Sequence, residues 1–470
     1  MKRIIVWFRG DLRIHDHPAL HAAAQNDNVV LPLFILDPTF LEKAVGSNRN
    51  RFLLESLKDL QTSLQSLGGE LLLQNGTPDE VLPRVAREWK ADAVYYISDF
   101  SPYSVARDKA VQTVLQKQGV EFSGFGGKLV VDASTKLRTK SDKIFTVFTP
   151  FWRAWMELPR RDVVAAPAKL TCDLSITSDE LPKLSDITVN DDLSPHPFPG
   201  GETAGRTQLE KFLDERVAHY HQQPTDMAKP QTSLLSPYLH FGCISAREAE
   251  SLLPDNRGAR AWNRQLAWRD FYHYILLYFP ATPNESFQER YRSLEWDNDP
   301  TYLAAWQQGQ TGYPVVDAGM RELRDTGFMH NRARMIVGSF LTKHLWTDWR
   351  LGEAYFMRML LDGDVANNVG NWQWIAGTGV DPAPFYRRLY NPTLQAKRLD
   401  PSGGYVRQHV PELASVPDEY IFEPWTMPED VQQKAGCIIG KNYPAPIVDH
   451  KTARAYALEK NREALRAFEA

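Results

Sequence analysis

The run "VVLPLFILD" (residues 29–37) is short, β-rich and without a polar residue before its closing aspartate. Three similar runs, "IIVWFR" (4–9), "ELLLQN" (70–75) and "AVYYISD" (93–99), share the first hundred residues with it, separated by amphipathic stretches long enough for helices. Strands that alternate with helices pair in parallel, because a crossover helix returns the chain to the same edge of the sheet. Burial of both faces then gives near-continuous apolar runs rather than strict alternation. The sequence thus predicts βαβ units on a Rossmann-like parallel sheet. One helix start is well marked at "TPDE" (77–80), where Thr77 can cap, Pro78 suits the first helical position and Glu80 completes a capping box. Ligands of such sheets sit beyond the strand C-termini. That places Phe8–Asp11, Phe34–Asp37 and Asp99–Pro102 along a candidate crevice.

Farther along, the pattern dissolves between about 160 and 203 into Pro, Asp and Ser, as in "LSPHPFPGGET" (193–203), which reads as a long interdomain connection. Helical periodicity follows: Leu209, Phe212, Leu213, Val217 and Tyr220 recur on a 3.6 period, and Ser245 to Glu248 reads as another capping box. The expected fold is therefore α/β plus all-α. Its units are an α/β domain over 1–130, a connector over 131–203 and an all-helical domain over 204–470.

Bulk properties narrow the function classes. A chain of 470 residues exceeds what one core usually organises, and 43% hydrophobic with 24% charged residues is a soluble composition. It contains no run of about 18 apolar residues, and "MKRIIVWFRGDLRIHD" has Arg and Asp where a signal peptide would be apolar. A cytoplasmic protein without a membrane partner is expected. Cys172, Cys243 and Cys437 are too scattered for a disulfide framework, a zinc site or an iron–sulfur cluster, so no metal is expected. The net charge of −4 leaves nucleic-acid binding to local basic patches. Tryptophan is in excess: Trp262, Trp268, Trp296, Trp306, Trp346, Trp349, Trp372 and Trp374 crowd the C-terminal half. Packing alone would account for such a cluster.

Several motifs can carry chemistry. In "DGDVANNVGNWQW" (362–374), Asp362 and Asp364 form a poor metal-ligand pair, but carboxylates also accept from heterocycle N–H groups and ribose hydroxyls. Asn367 and Asn368 can contact a ring edge whose protonation follows its redox state. Loop and cap roles for these four residues remain open beside that reading. "AWNRQLAWRDFYHY" (261–274) sets Trp262, Gln265, Trp268 and Arg269 at helical spacings, a surface able to stack rings, bond amides and hold phosphate, or equally a buried structural face. In "QTSLLSPYLHFG" (231–242), Thr232, Ser233 and Ser236 precede a helix-like segment, an arrangement suited to a diphosphate. No GxGxxG or GxxxxGK[ST] loop occurs. "HNRARM" (330–335) and "FYRRLYNPTLQAKR" (385–398) are local basic clusters that can track a phosphate backbone or simply face water.

Taken together, the motifs resemble the photolyase/cryptochrome family. "VWFRGDLRIHDHPAL" (6–20), "TSLLSPYLHFG", "WRDFYHY", "TGYPVVDAGMREL" with "GFMHNRARM", "DGDVANN", "WQW" and "NPTLQAKR" follow in that family's order over nearly the whole chain, with its bacterial class I cyclobutane-dimer branch nearest. The resemblance implies a U-shaped FAD in the helical domain, beneath a pocket that receives a pyrimidine dimer flipped out of damaged DNA. It implies flavin contacts from Tyr220, Thr232, Ser233, Leu234, Leu235, Ser236, Trp262, Arg269, Asn331, Arg334, Asp362, Gly363, Asp364 and Asn368, with Asn368 facing flavin N5. It further implies that Trp372, Trp349 and Trp296 conduct an electron to photoexcited flavin. Lesion and DNA contacts would come from Gln265, Trp268, Asn331, Arg332, Met335, Trp374 and Gln395. Reduced FAD would then give an electron to the dimer, the cyclobutane ring would open, and the electron would return.

Three departures qualify the resemblance. Gln265 stands where dimer photolyases usually have Glu and the (6-4) branch has Gln, whereas "MHNRARM" keeps the dimer-type pattern. Phe328 replaces a common Trp, and the arginine often found near Pro224 is missing. For the α/β domain the resemblance implies an antenna chromophore. Tyr103 and Ser104 replace the Asn-Glu pair of methenyltetrahydrofolate binders, so an 8-hydroxy-deazaflavin type is favoured, with Phe34, Arg51 and Asp99 as candidate contacts. A monomeric light-driven repair enzyme is expected, with a cryptochrome-type photoreceptor and a (6-4) photolyase as alternatives. The chain ends soon after its last predicted helix, without the extension many signalling members carry, which tilts the expectation toward repair.

Overall fold

The computed structural model describes residues 1–38, 46–132, 137–187, 193–222, 227–229 and 232–469. Five strands, β1 (Arg3–Phe8), β2 (Val29–Leu36), β3 (Leu72–Asn75), β4 (Ala93–Ile97) and β5 (Glu121–Phe125), form one sheet in the order β3-β2-β1-β4-β5, every pair parallel. The four apolar runs are β1 to β4. The fifth strand, "EFSGF", escapes the sequence pattern because it lies at the sheet edge and is only partly covered. Period-two alternation splits β1 between two cores: Ile4, Val6 and Phe8 face one, Ile5 and Trp7 the other. Helices α1 (Pro18–Ala23) and α2 (Ser47–Ser66) cover the first face, α3 (Pro78–Glu88) and α4 (Pro102–Lys117) the second. At the start of α3, Thr77 holds the extended cap conformation and Pro78 the first turn, but the Thr77 side chain makes no capping bond. Asp79 and Glu80 in that first turn still complement the helix dipole.

Within 131–203 the chain is not featureless. Helix α5 (Phe148–Glu157) buries Phe148, Phe151 and Trp155 at i, i+3 and i+7 against the helical domain. That domain holds α6 (Glu202–Glu215), α7 (Ser236–His240), α8 (Ala246–Ser251), α9 (Arg257–Tyr278), α10 (Pro300–Gln308), α11 (Pro314–Thr326), α12 (Asn331–Lys343), α13 (Trp349–Met359) and α14 (Val365–Ala376). The periodic stretch 209–220 is divided: α6 stops at Glu215, and Val217–Gln222 tightens into a 3₁₀ turn. Ser245 caps α8 by accepting the Glu248 N–H, but Glu248 directs its carboxylate to Arg206 at 2.9 Å, so only half of the capping box forms.

The segment "RGDLRIHDH" (9–17) locks the two domains together. Arg13, 2% exposed, donates to the backbone oxygens of Gly127 (3.0 Å) on one side and Gly242 (2.9 Å) on the other. Gly242 sits at φ +64° against the Gly10 backbone, where a Cβ would collide. Nearby, Asp11 pairs with His17 at 2.8 Å, and Glu202 of α6 takes the Ile14 N–H at 2.7 Å. Among the described residues, no helix is long and apolar enough to cross a membrane.

Candidate functional site

A cavity of about 620 Å³ opens in the helical domain between α9, α12 and α14 and the loop leading into α7. Its volume is that of a large-ligand pocket. From the loop come Thr232, Ser233, Leu234 and Leu235, with Ser236 opening α7 and Tyr220 on the 3₁₀ turn beside them. Leu234 holds φ +57°, a left-handed conformation that a branched residue adopts only where its surroundings impose it. Among the described residues the buried Thr232 hydroxyl has no partner, and burial pushes the Tyr220 hydroxyl up to about 12. Helix α9 contributes Trp262, Gln265, Trp268 and Arg269, so the spacing that marked one face in the sequence does meet the cavity. Arg269 is anchored through the backbone oxygens of Lys128 (2.9 Å) and Leu239 (3.3 Å).

Across the cavity stand Asn331, Arg332, Arg334 and Met335 of α12, and Asp362, Asp364 and Asn368 around the start of α14. Arg334 grips Asp362 with two bonds, 3.1 and 2.9 Å, a bidentate pair with the carboxylate 6% exposed. Asp364 does serve as a cap: it accepts the Asn367 N–H at 2.9 Å and the Asn367 amide at 2.7 Å. Its second role is electrostatic. Burial works against its charge, yet the nearby imidazoles of His273 (3.5 Å) and His240 (4.0 Å), together with Lys128, hold it well below the usual carboxylate range. Burial in turn pushes both imidazoles down to about 4, so at pH 7 they are neutral and the favourable charge at Asp364 comes from Lys128, the imidazoles adding to it only in acid.

Trp372 and Trp374 of α14 also line the cavity. Trp374 and Trp268, the two lesion-facing rings of the sequence reading, thus share one chamber with Asn368. Trp268 lies flat on Phe148 of α5, ring centroids 3.6 Å apart and planes 7° off parallel. The other two indoles of the expected conducting chain lie off the cavity. Trp349 is fully buried at the start of α13, and Trp296 is half-buried against Trp346 at 4.9 Å. The immediate ring neighbours of Trp372 are Phe356 (5.0 Å) and Trp306 (6.1 Å), neither of which the resemblance assigned.

Some expected contacts lie elsewhere. Gly363 packs on Arg49 from the α/β domain, and a Cβ there would stand 2.6 Å from the guanidinium. Gln395 accepts from Arg398 at 2.9 Å, outside the cavity wall. Of the antenna candidates, Phe34 belongs to the sheet core, Arg51 donates to the Ser194 backbone at 3.3 Å, and Asp99 pairs with Lys128 at 2.7 Å. Tyr103 gives its hydroxyl to Asp37. Pro224 falls outside the described residues. The structure also adds residues: His240, Tyr272 and Asn371 join the wall, and Glu353 backs Asn368. Tyr272 was within reach of the sequence, one helical turn beyond Arg269 on α9. The role of Glu353 was not, because it reaches its partner across two helices.

Among the described residues, the polar groups left unpaired around this chamber include the Thr232 hydroxyl, His221 Nδ1, His240 Nδ1, His273 Nε2 and Trp374 Nε1, all buried. Unpaired buried donors and acceptors are rare unless a ligand completes them. With two aspartates, three arginines and several indoles, the set suits a flavin dinucleotide: cations for phosphates, carboxylates for ribose or ring N–H, and aromatic walls for the ring system.

Comparison with known proteins agrees with this chemistry. Residues 4–169 match the family described as DNA photolyase, and residues 262–463 match the FAD binding domain of DNA photolyase. The chain is 38% identical over 471 residues to a deoxyribodipyrimidine photo-lyase of Agrobacterium fabrum, covering 97% of this chain and 96% of that protein. Among solved structures, it resembles a bacterial class III photolyase from Agrobacterium tumefaciens with a TM-score of 0.92, at 37% identity, covering 99% and 98% of the two chains. It also resembles a cryptochrome of Synechocystis, with a TM-score of 0.89 at 30% identity, covering 97% and 98%. Both domains are matched, and so is the length between them: the chain belongs to the DNA photolyase family, with an FAD-binding helical domain.

Proposed function

We propose that the protein is a light-driven lyase that splits cyclobutane pyrimidine dimers in DNA, with FAD held in the helical-domain cavity. The observation that carries this reading is the shared chamber: Trp268 and Trp374 line the same cavity as Asn368 and the Arg334–Asp362 pair, so one space can receive both a cofactor and a base. Reduced FAD, when bound, supplies the electron that opens the dimer after absorbing light. The rest is the protein's share. Thr232, Ser233 and Ser236 line the phosphate end, Arg269 and Arg334 bring positive charge, and Asp362, Asp364 and Asn368 meet the ring edge.

Substrate reaches the cavity by leaving the duplex, at a cost of about a few kcal/mol that is smallest for a damaged step. Stacking on Trp268 and Trp374 recovers on the order of 1–3 kcal/mol per base. Gln265, Asn331 and Met335 contact the extruded lesion, while Arg332 and Gln395 hold the strand. Trp372, Trp349 and Trp296 reload the cofactor with electrons. In the same reading the units are 1–130, 131–203 and 204–470, the antenna is of the 8-hydroxy-deazaflavin type near Phe34, Arg51 and Asp99, and the protein is a cytoplasmic monomer.

One observation favours a second reading: Gln265, exposed at the cavity mouth, is the residue type of (6-4) repair. The likeness to a cryptochrome supports a third, photoreception without repair. Illuminating the reduced protein with oligonucleotides carrying each lesion separates them. Restored thymines from the cyclobutane dimer alone are expected. Restoration from the (6-4) product alone, or from neither, would replace this reading with the second or the third.

A further inference from the structure

Trp372 and Trp374 stand two residues apart on α14 and both line the cavity, yet their surroundings differ in charge. Trp372 is boxed by rings, with Phe356 and Trp306 edge-on at 5.0 and 6.1 Å. Trp374 carries a cation on its face: the guanidinium carbon of Arg388 lies 3.8 Å from the ring centroid. Arg388 is 3% exposed and fixed by bonds to the backbone oxygens of Trp374 (2.6 Å) and Asp381 (2.8 Å). None of the bonds found for it ends on a carboxylate; the Asp381 carboxylate, which takes the Phe148 N–H at 3.2 Å, is near enough to offset part of the charge without forming an ion pair with it. A buried amine, Lys343, lies 3.4 Å from the ring of the nearby Phe385, and burial together with the Arg388 charge pushes its pKa well below the usual lysine range.

A cation over an indole attracts the neutral ring but repels one that has lost an electron. Burial keeps that repulsion from being screened. We infer that Arg388 is a positioning residue that protects Trp374 from oxidation, so that Trp372 is the indole that yields an electron to the photoexcited cofactor. This inference rests on the flavin reading above. The step moves one electron from indole to flavin: the indole is oxidised, the flavin reduced, and no bond forms or breaks. The protection has a purpose, because the Trp374 ring is a proposed substrate wall, and an electron lost there would damage the surface that holds the lesion. Arg350 lies over Trp349 at 4.7 Å, but Asp348 neutralises it at 3.0 Å and its side chain is 36% exposed, so its field is largely cancelled and screened.

The test uses photoreduction of the flavin-loaded protein together with a measurement that needs no flavin. Trp372→Phe should cut photoreduction at least tenfold. Adding Arg388→Gln, which keeps a donor for the Trp374 oxygen but removes the charge, should restore at least fivefold of that loss. Adding Arg388→Lys should restore none, and Trp374→Phe on the Gln background should abolish the recovery. In the flavin-free protein, azide radicals each take one electron from an indole, which then releases its N–H proton to water. Site-resolved mass spectrometry should find oxidation of Trp374, relative to Trp268, raised at least threefold by Arg388→Gln or Arg388→Met but not by Arg388→Lys. An unchanged ratio would overturn the inference, as would an unrestored double variant in a preparation whose parent photoreduces normally. A parent that binds no flavin would instead sink the flavin reading, leaving the azide ratio to decide the role of Arg388.

Discussion

The side-chain nitrogen of Asn368 donates to both the backbone oxygen of Glu353, at 3.0 Å, and its carboxylate, at 2.8 Å. Both amide hydrogens are thereby committed, and the carbonyl oxygen is what remains to face the cavity as an acceptor. Burial raises the Glu353 carboxyl, while the Asn368 bond and the Arg49 charge pull it back. Asn368→Asp would set a second carboxylate against it, and like charges this close cannot both ionise at neutral pH. One carboxyl then titrates above its unfolded value of about 4, so its contribution is full below that pH and is lost as pH rises through the folded value. The flavin-free variant should melt with the wild type near pH 4.5 and about 1 °C below it for each kcal/mol lost by pH 8. A gap independent of pH would mean that the amide does not donate to Glu353.

Phe148 supports Trp268 from outside the helical domain proper, ring on ring at 3.6 Å. If that stacking orients the indole, Phe148→Ala and Trp268→Ala should not add. A double-mutant cycle on affinity for a lesion-bearing oligonucleotide is expected to give a coupling of about 0.5–1.5 kcal/mol, with Phe148→Ala alone costing affinity for damaged DNA only. Additive losses would make Phe148 a packing residue without influence on the site.

The contrast between Phe148 and its partner explains how far the sequence could be read. Trp268, Arg269 and Trp262 were legible because a long helix puts fixed spacings on one face, and β1 to β4 because strands buried on both faces are continuous apolar runs. Phe148 sits in a ten-residue helix just before the Pro-rich stretch, too short for its period to stand out. Arg388 and Glu353 matter through tertiary neighbours, Trp374 and Asn368, to which no spacing rule connects them. Gly363 is a flavin contact only by the resemblance; what the structure shows at it is the close approach of Arg49. The N-terminal motif "RGDLRIHDH" (9–17) is also structural: Arg13 bridges the two domains, while Asp11 pairs with His17 and Arg9 with Asp108 inside the α/β domain.

Four buried imidazoles make the fold sensitive to acid. Burial holds His240, His273 and His330 down to about 4 and His344 to about 3. Once the pH falls below about 6.5, the unfolded chain takes up protons that the folded state refuses, so stability present above that value is lost down toward pH 4. Each such group steepens the loss by about 1.4 kcal/mol per pH unit. His330 offers a clean probe, because its ring caps α12 by accepting the Arg332 N–H at 3.2 Å and asparagine caps equally well without titrating. Urea unfolding of flavin-free His330→Asn should match the wild type at pH 7.5 within about 1 kcal/mol and lose stability less steeply between pH 6.5 and 5. Identical slopes would show that the imidazole is protonated in the fold.

Gln265 lies one helical turn from both Trp262 and Trp268, with its side chain exposed at the cavity mouth. An amide there can donate to a base carbonyl and accept from a base N–H, whereas alanine can do neither. Loss of bonds of this kind costs about 1–1.5 kcal/mol, so Gln265→Ala should weaken binding of a dimer-bearing oligonucleotide about tenfold. Undamaged DNA, held by phosphate contacts that Gln265 does not make, should bind as before and keep its salt dependence. Gln265→Glu should retain cyclobutane-dimer repair within a few-fold, because a carboxyl group can still accept from the same N–H. Should the glutamate variant instead acquire dimer repair that the parent lacks, the amide would be the feature that turns this pocket away from cyclobutane dimers.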